Sequence, residues 1–332
     1  MPKFIKNMIG ADQDILDKQN ETSKKRVSNI IWPSESSAKP DCFARGACKR
    51  ELFYKIIGVK PTEPFSVRGR LICDAGLLFE DYYINKFSKL GMLVSEQEPI
   101  EFTMAETKNK IITSGKMDAI IREDGKNKVI EIKSVSAYKS AELHGYTSGI
   151  ALPSDKNLMQ AMLYKYYVAN IADGIKLGVD EVYLMYVNRS DSSTFYFKVD
   201  LDRNGYPVLT SYDGDGNSRG TVALGASASF AKLLTRPTIT KLESRLANLR
   251  ISIYDIMNRA DSIYDNVNEK LLPAKDYLFT YDESQAETLN RCGLLAKSKL
   301  NLIKKGESHG SIQCTYCSYR TKCLGDSGIT LQ

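Results

Sequence analysis

Residues 115–133 read GKMDAIIREDGKNKVIEIK, two apolar runs meeting at Asp124-Gly125. An Asp-Gly pair between such runs predicts a two-residue hairpin turn, because both turn positions take a positive φ that Gly and Asp tolerate well. If Glu123 pairs with Lys126, Asp118 on the incoming strand lies across from Glu131 on the outgoing one. Side chains alternate faces along a strand, so Glu131 and Lys133 share a face while Ile130 and Ile132 take the other. Two carboxylates and an ammonium then converge. A four-residue loop keeps that convergence and an odd-length loop breaks it; the sequence leaves both open. Paired carboxylates with little else suit Mg2+ or Mn2+, which take oxygen ligands and keep waters for a phosphate substrate. A charged lysine cannot ligate, so its expected work is to hold or activate an attacking water, or to offset charge on the phosphate. A plain solvated hairpin carries the same letters, and a second feature is needed to tell the two apart.

That feature is a predicted helix over Pro153 to Asn170, started by Ser154 or Asp155 and carrying Leu158, Met162 and Tyr166 at fourfold spacing. Gln160 and Tyr164 fall one turn apart on a single face of it. A glutamine beside a phenol can bond phosphate or base edges and stack on a base, as single-stranded nucleic acid requires. The bland alternative is a polar-aromatic pair packed in a half-buried helix.

The chain has seven cysteines. Three of them form Cys314-x2-Cys317-x5-Cys323 in a polar tail, and Cys48 and Cys42 lie far upstream. Tight spacing without a secretory signal reads as a metal site, not a disulfide framework. Four thiolates suit Zn2+ or an iron-sulfur cluster equally on spacing alone. Cys73 and Cys292, among apolar neighbours, read as buried and inert.

Asp118, then Glu131-Ile132-Lys133, then Gln160-Ala161-Met162-Leu163-Tyr164 resemble, in that order, the motifs of the PD-(D/E)xK nucleases of the RecB type. The resemblance implies an α/β, restriction-endonuclease-like core, a central mixed sheet flanked by helices. It implies a metal-dependent DNA nuclease, most simply an exonuclease on single strands or DNA ends, serving recombination, repair or replication. Asp118, Glu131, Lys133, Gln160 and Tyr164 are the implied catalytic residues. Glu80, in Asp74-Ala75-Gly76-Leu77-Leu78-Phe79-Glu80-Asp81, is the implied third acidic ligand of Mg2+ or Mn2+, where the family commonly has histidine. The main-chain carbonyl of Ile132 is a further implied ligand. Cys48-Lys49-Arg50, followed by Phe53-Tyr54, and the C-terminal trio are similar to the cluster-binding subset that includes the CRISPR-associated Cas-four proteins. That likeness implies a 4Fe–4S cluster on Cys48, Cys314, Cys317 and Cys323, joining the two chain ends, with zinc as the alternative. Cys42, with Arg45 after it, lacks the x-Arg spacing. Implied partners are DNA, single-stranded or with duplex ends, and recombination or replication proteins. The extra length favours a phage-type stand-alone enzyme over a CRISPR adaptation end-trimmer. A non-catalytic nucleic-acid clamp is the rival from another class; it gives no reason to crowd Asp118, Glu131 and Lys133 on one face.

Composition fits without deciding. With 332 residues, 42% of them hydrophobic, and a formal charge of +6, the chain can bury a sizeable core and lean mildly toward a polyanion. No apolar run reaches membrane length and no signal-peptide core opens the chain, so no membrane partner and a cytoplasmic site are expected. The polar stretch 1–38 is expected to be a flexible arm. Residues 39–332 are expected to form one domain, with a cluster lobe at 40–65 and 290–325, a catalytic core at 66–200 and a helical arm at 236–305. Leu242, Leu246, Leu249, Ile253 and Ile256 give the arm its helical spacing; core helices explain it as well and are preferred. Asp200-x-Asp202-x-Asn204-Gly205 copies half a calcium loop but has Ser211 at its twelfth position, so a turn is expected. Gly214-Asp215-Gly216 misses the dinucleotide spacing, no complete Walker motif occurs, and His144 and His309 lack ligand spacing.

Overall fold

The computed structural model describes residues 29–39, 43–63, 67–145, 151–225, 246, 248–292 and 294–326. At its centre is an eight-stranded mixed sheet: β1 (Ile30–Ile31), β4 (Leu93–Thr103), β5 (Ile112–Glu123), β6 (Lys126–Val135), β7 (Val179–Asn188), β8 (Thr194–Leu201), β9 (Pro207–Tyr212) and β10 (Ser218–Ala223). The remaining strands, β2 (Ser37–Ala38) and β3 (Arg45–Gly46), form a small separate ribbon. The central sheet flanked by helices is the expected α/β architecture.

The Asp-Gly turn is as predicted. Asp124 and Gly125 have φ of 50° and 74°, and Glu123 pairs with Lys126, the register that sets Asp118 against Glu131. Strands β6 and β7 are parallel, and parallel neighbours need a long crossover. Here the crossover comprises α3 (Ala137–Leu143), α4 (Asp155–Asn170) and α5 (Ala172–Lys176). It lays α4 across the sheet at β7 and β8. Ser154 caps α4 by accepting from the Asn157 N–H, and Leu158, Met159, Met162 and Leu163 are buried. Each such side chain contributes roughly 1.5–3 kcal/mol when fully buried.

The two faces of the sheet have separate cores. One packs Ile120, Val129, Leu184 and Tyr186 under α4. The other packs Ala119, Ile121, Ile130 and Ile132 under α2 (Val67–Lys89), through Tyr83 and Ile84. A third cluster joins Phe53 and Tyr54, on α1 (Lys49–Ile56), to Tyr319 and Cys323 from the other end of the chain.

Several expected boundaries move. Residues 29–38 are not a flexible arm: Ile31, Ser36, Ser37 and Ala38 are buried, and Ile30 and Ile31 pair with β5. The preceding 1–28 lie outside the described residues, as do Leu242 and Cys42. The sheet continues past 200, because β9 and β10 add two antiparallel strands after the Asp202–Gly205 turn. That turn is closed by the Asp202 carboxylate accepting from Asn204 and Tyr206. Within the expected arm, Leu246 and Leu249 are buried, but α6 (Ile253–Asn268) starts only at Ile253, where Ser252 and Asp255 form a reciprocal capping box. The cap ends the leucine periodicity. Helix α6 is a core helix on β2 and α1. By contrast, α7 (Glu283–Arg291) and α8 (Lys297–Lys304) form a hairpin around their own cluster of Ala286, Leu295 and Ile303. Two short helices close the described chain, α9 (Ile312–Thr315) and α10 (Arg320–Gly325).

Candidate functional site

Strand β4 covers one flank of β5 along most of its length. On the other flank, β1 pairs only with Ile112 and Thr113, and β6 only from Ala119 onward. Strands β5 and β6 therefore diverge below the Ala119–Ile130 pair while β6 stays on β7 through Val135. The divergence strips backbone groups of ladder partners, and buried groups of that kind need replacements. Side chains supply them. The Asp118 carboxylate accepts the Ile132 N–H at 2.8 Å, and the Tyr164 hydroxyl donates to the Lys116 carbonyl at 2.7 Å. Gly115 lies in the same gap against Pro33, whose Cδ would be 2.8 Å from an added Cβ.

A gap between strands can be reached from both faces of the sheet. From the α4 side, the Gln160 amide donates to Glu131 Oε1 at 2.6 Å and to the Tyr164 hydroxyl at 2.8 Å. Lys133 donates to the same Glu131 oxygen. From the α2 side comes Glu80, close enough to feel the charges of Asp118 and Lys133. The structure thus gathers Glu80, Asp118, Glu131, Ile132, Lys133, Gln160 and Tyr164 at one place.

Base stacking by Tyr164 does not survive. Its ring is 1% exposed, so it has no face to offer a base, and Gln160 is also buried. The pair supports the site instead: Gln160 fixes Glu131, and Tyr164 fixes both Gln160 and the β5 backbone.

The electrostatics show a surplus of negative charge. Burial pushes the Glu131 carboxyl well above the usual range; the Lys133 charge pulls it back, and Asp118 raises it again. Burial likewise raises Asp118, against Lys133 and the Ile132 N–H. Glu80 is pushed up to about 7, first by burial and then by the Asp118 charge. Burial favours a neutral Lys133, yet the charges of Glu131 and Asp118 more than reverse this and keep it an ammonium. Glu131 is 0% exposed and its Oε2 has no hydrogen-bond partner. A buried carboxylate oxygen left bare among three acids and one lysine fits a divalent cation.

Gln97 was not foreseen. It lies between the pairs Glu96–Ala119 and Glu98–Met117, hence opposite Asp118, and its amide donates to Glu80 Oε1 at 2.5 Å. Its φ of 49° is left-handed, a conformation that costs a non-glycine residue about 1–3 kcal/mol. No neighbouring glycine or proline in Ser95-Glu96-Gln97-Glu98 marks it.

In a second place, Cys48, Cys314, Cys317 and Cys323 line one small pocket with Arg50, Tyr54 and Lys275. None is in a disulfide. Cys48 is the N-cap residue of α1. Burial raises its thiol, and the Glu51 and Arg50 N–H groups draw it back. Burial and then neighbouring charges push Cys314 and Cys317 up to about 12. The Tyr319 N–H donates to the Cys317 sulfur at 3.4 Å, and Arg50 to that of Cys323 at 3.7 Å. Thiols this buried stay protonated unless a metal takes the proton's place, and the four-sulfur donor set with its N–H donors fits one. Cys73 is exposed on α2, not buried as expected: Leu71, Ile72 and Cys73 face outward together on that turn; Cys292 is half-buried. Among the described residues, no group of three or more His, Cys, Asp or Glu side chains stands in ready coordinating geometry. Nor does any described helix have the length and apolarity to cross a membrane.

No protein-family model matches the chain, and no curated protein does. Among solved structures it is similar to one described as "Crystal structure of SSO0001", at 19% identity over 55% of this chain and 75% of that one, with a TM-score of 0.33. That likeness is too loose to carry an argument.

Proposed function

We propose that the protein is a metal-dependent DNA nuclease acting on single strands or DNA ends. The observation that carries this reading is the bare, fully buried Glu131 oxygen set among Asp118, Glu80 and Lys133. Glu80, Asp118 and Glu131 would hold Mg2+ or Mn2+. The Ile132 carbonyl, which leaves the strand on the same side as its N–H, would join them. When bound, such a cation polarises a phosphoryl oxygen and acidifies a water. The residues do the rest. Asp118, tied to the Ile132 N–H, keeps the two strands at a fixed separation. Gln160 holds Glu131 in one rotamer, so its second oxygen stays aimed into the gap. Lys133 carries the positive charge that a phosphodiester needs on approach, and its ammonium can hold the attacking oxygen by a hydrogen bond. Hydrolysis adds water across the P–O bond, leaving a phosphate monoester and a hydroxyl.

The four-cysteine pocket is read as the seat of a 4Fe–4S cluster, with Cys48, Cys314, Cys317 and Cys323 as ligands. When bound, the cluster ties α1 to the C-terminal helices; Arg50 and the Tyr319 N–H, already on two of the sulfurs, would stabilise their negative charge.

Digestion of end-labelled single- and double-stranded DNA with Mg2+ or Mn2+, against a chelator control, tests the nuclease reading. Cation-dependent release of label is expected from the wild type and not from Asp118→Ala. Wild-type cleavage by that variant, or label untouched under every cation, would sink it. Iron and acid-labile sulfide in equal amounts, in protein purified without oxygen, are expected of the cluster; one zinc in colourless protein overturns it.

A further inference from the structure

Gln97 joins two features rarely found together: a left-handed backbone inside a strand and a side-chain bond to an acidic group in the candidate site. Glycine would occupy that φ without strain. What glycine lacks is the amide, so the strain is retained together with that bond.

Glu80 needs a tether. It lies on α2, a helix located by Tyr83 and Ile84 in the lower core and by Gly76, where an added Cβ would be 3.5 Å from Ser134 Oγ. Its own side chain is long, half-buried, and repelled by Asp118. Left alone it would swing toward solvent. Lysine or arginine would hold it but would cancel the charge a cation seeks. An amide holds it by one oxygen and stays neutral. Glu80 Oε2 has no hydrogen-bond partner among the described residues, so the tether leaves that oxygen open.

We propose that Gln97 is a positioning residue of the cation site, presetting the Glu80 carboxylate beside Asp118 at the cost of a strained backbone. This rests on the reading of Glu80, Asp118 and Glu131 as cation ligands. It deepens that reading by naming the group that keeps the third ligand in place. Strain at a site whose surroundings enforce it is a recognised form of preorganisation.

The test uses the full-length protein, with Mn2+ binding followed by titration calorimetry and metal-free stability by thermal melting. Gln97→Ala and Gln97→Gly should each weaken Mn2+ binding by about 10–100-fold, the usual loss when a group orienting a ligand is removed. Gln97→Gly should melt higher than Gln97→Ala, since it sheds the strain. In a Glu80→Gln background, Gln97→Ala should weaken binding no further, because the two act through one carboxylate. Unchanged Mn2+ affinity in the single variants, tighter binding, or full additivity in the double variant would overturn the proposal. If the wild type binds no Mn2+, the cation site itself falls and takes the proposal with it. If it binds Mn2+ but cleaves no DNA, the nuclease reading fails while Gln97 keeps its role.

Discussion

The acidic gap and the thiol pocket pose one problem, ionisable groups whose burial opposes their anionic forms, and are assembled in opposite ways. Asp118, Glu131 and Lys133 come from a single hairpin whose register is set by a two-residue turn. The rest of the gap is hydrogen-bonded into place by Gln160, Tyr164 and Gln97. Protein groups alone hold that gap together. The thiol pocket takes Cys48 from the start of α1 and three sulfurs from the end of the described chain. The polar bonds that join those ends include Lys49 N–H to Asp276, Arg50 to the Pro273 carbonyl and to Cys323, Thr62 and Glu63 to 318–322, and Tyr54 to Asp326. The difference predicts which site the fold depends on.

Emptying the two sites should therefore have unequal effects. Closing a loop between distant residues stabilises by about 5 kcal/mol when the cross-link is covalent and the loop exceeds 100 residues; a four-thiolate cluster belongs to that class. Cys314→Ala should lose the colour, lower the melting temperature sharply and reduce solubility, whereas chelating Mg2+ or Mn2+ should leave the fold intact. Equal melting temperatures for Cys314→Ala and wild type would erase the contrast.

Within the acidic gap, charge type separates ligand from electrostatic partner. Asp118→Ala should lose both Mn2+ affinity and cleavage. Lys133→Ala removes a repelling ammonium and should keep or tighten Mn2+ binding while cleavage falls about 10²–10³-fold, the usual loss for one transition-state donor. Weakened Mn2+ binding in Lys133→Ala would mean that the lysine organises the site rather than the reaction.

The supporting pair gives a smaller effect. Tyr164→Phe keeps the ring and leaves the Lys116 carbonyl without its donor, at about 1–3 kcal/mol of stability. Oligonucleotide affinity should not change, since the ring is buried. Weaker DNA binding by Tyr164→Ala at undiminished stability would restore a stacking role.

How much of this was legible from the letters follows from how local each determinant is. The Asp124-Gly125 turn encodes its own conformation, and with it the Asp118–Glu131 register. Ser154 and the buried stripe of α4 are also local. The spacing of Gln160 and Tyr164 puts them on one face of α4, but that this face is buried depends on β7 and β8 beneath the helix. Strand β10 is largely exposed and lacks apolar alternation, so no periodicity marks it. Ser252-x-x-Asp255 was readable as a cap, and the leucine spacing across it argued for a continuous helix. Gln97 is illegible by contrast: its positive φ and its bond to Glu80 join residues 17 apart, and its own residue type signals neither.

The smallest effect is the share of Glu80 in the pH dependence of the metal-free fold, beside those of Glu131 and Asp118, and its sign is fixed. The Glu80 carboxyl is pushed from its ordinary 4.5 up to about 7. Between those values the folded protein keeps a proton that the unfolded chain has released, so the unfolded state binds fewer protons and stability falls as pH rises. The stabilising share is whole below 4.5 and gone above about 7. Glu80 is half open to solvent, so screening reduces the effect to about 1 kcal/mol. Comparing melting temperatures with Glu80→Gln isolates it: metal-free wild type should lose ground to the variant across that window and run parallel to it above. Saturating Mn2+ should reverse the trend, since proton and cation compete for one carboxylate. Cys314 lines the thiol pocket, which none of Glu80, Asp118 and Glu131 lines, so Cys314→Ala should leave the difference between the wild-type and Glu80→Gln slopes unchanged. Wild type and Glu80→Gln running parallel across the whole window would remove Glu80 as a titrating group.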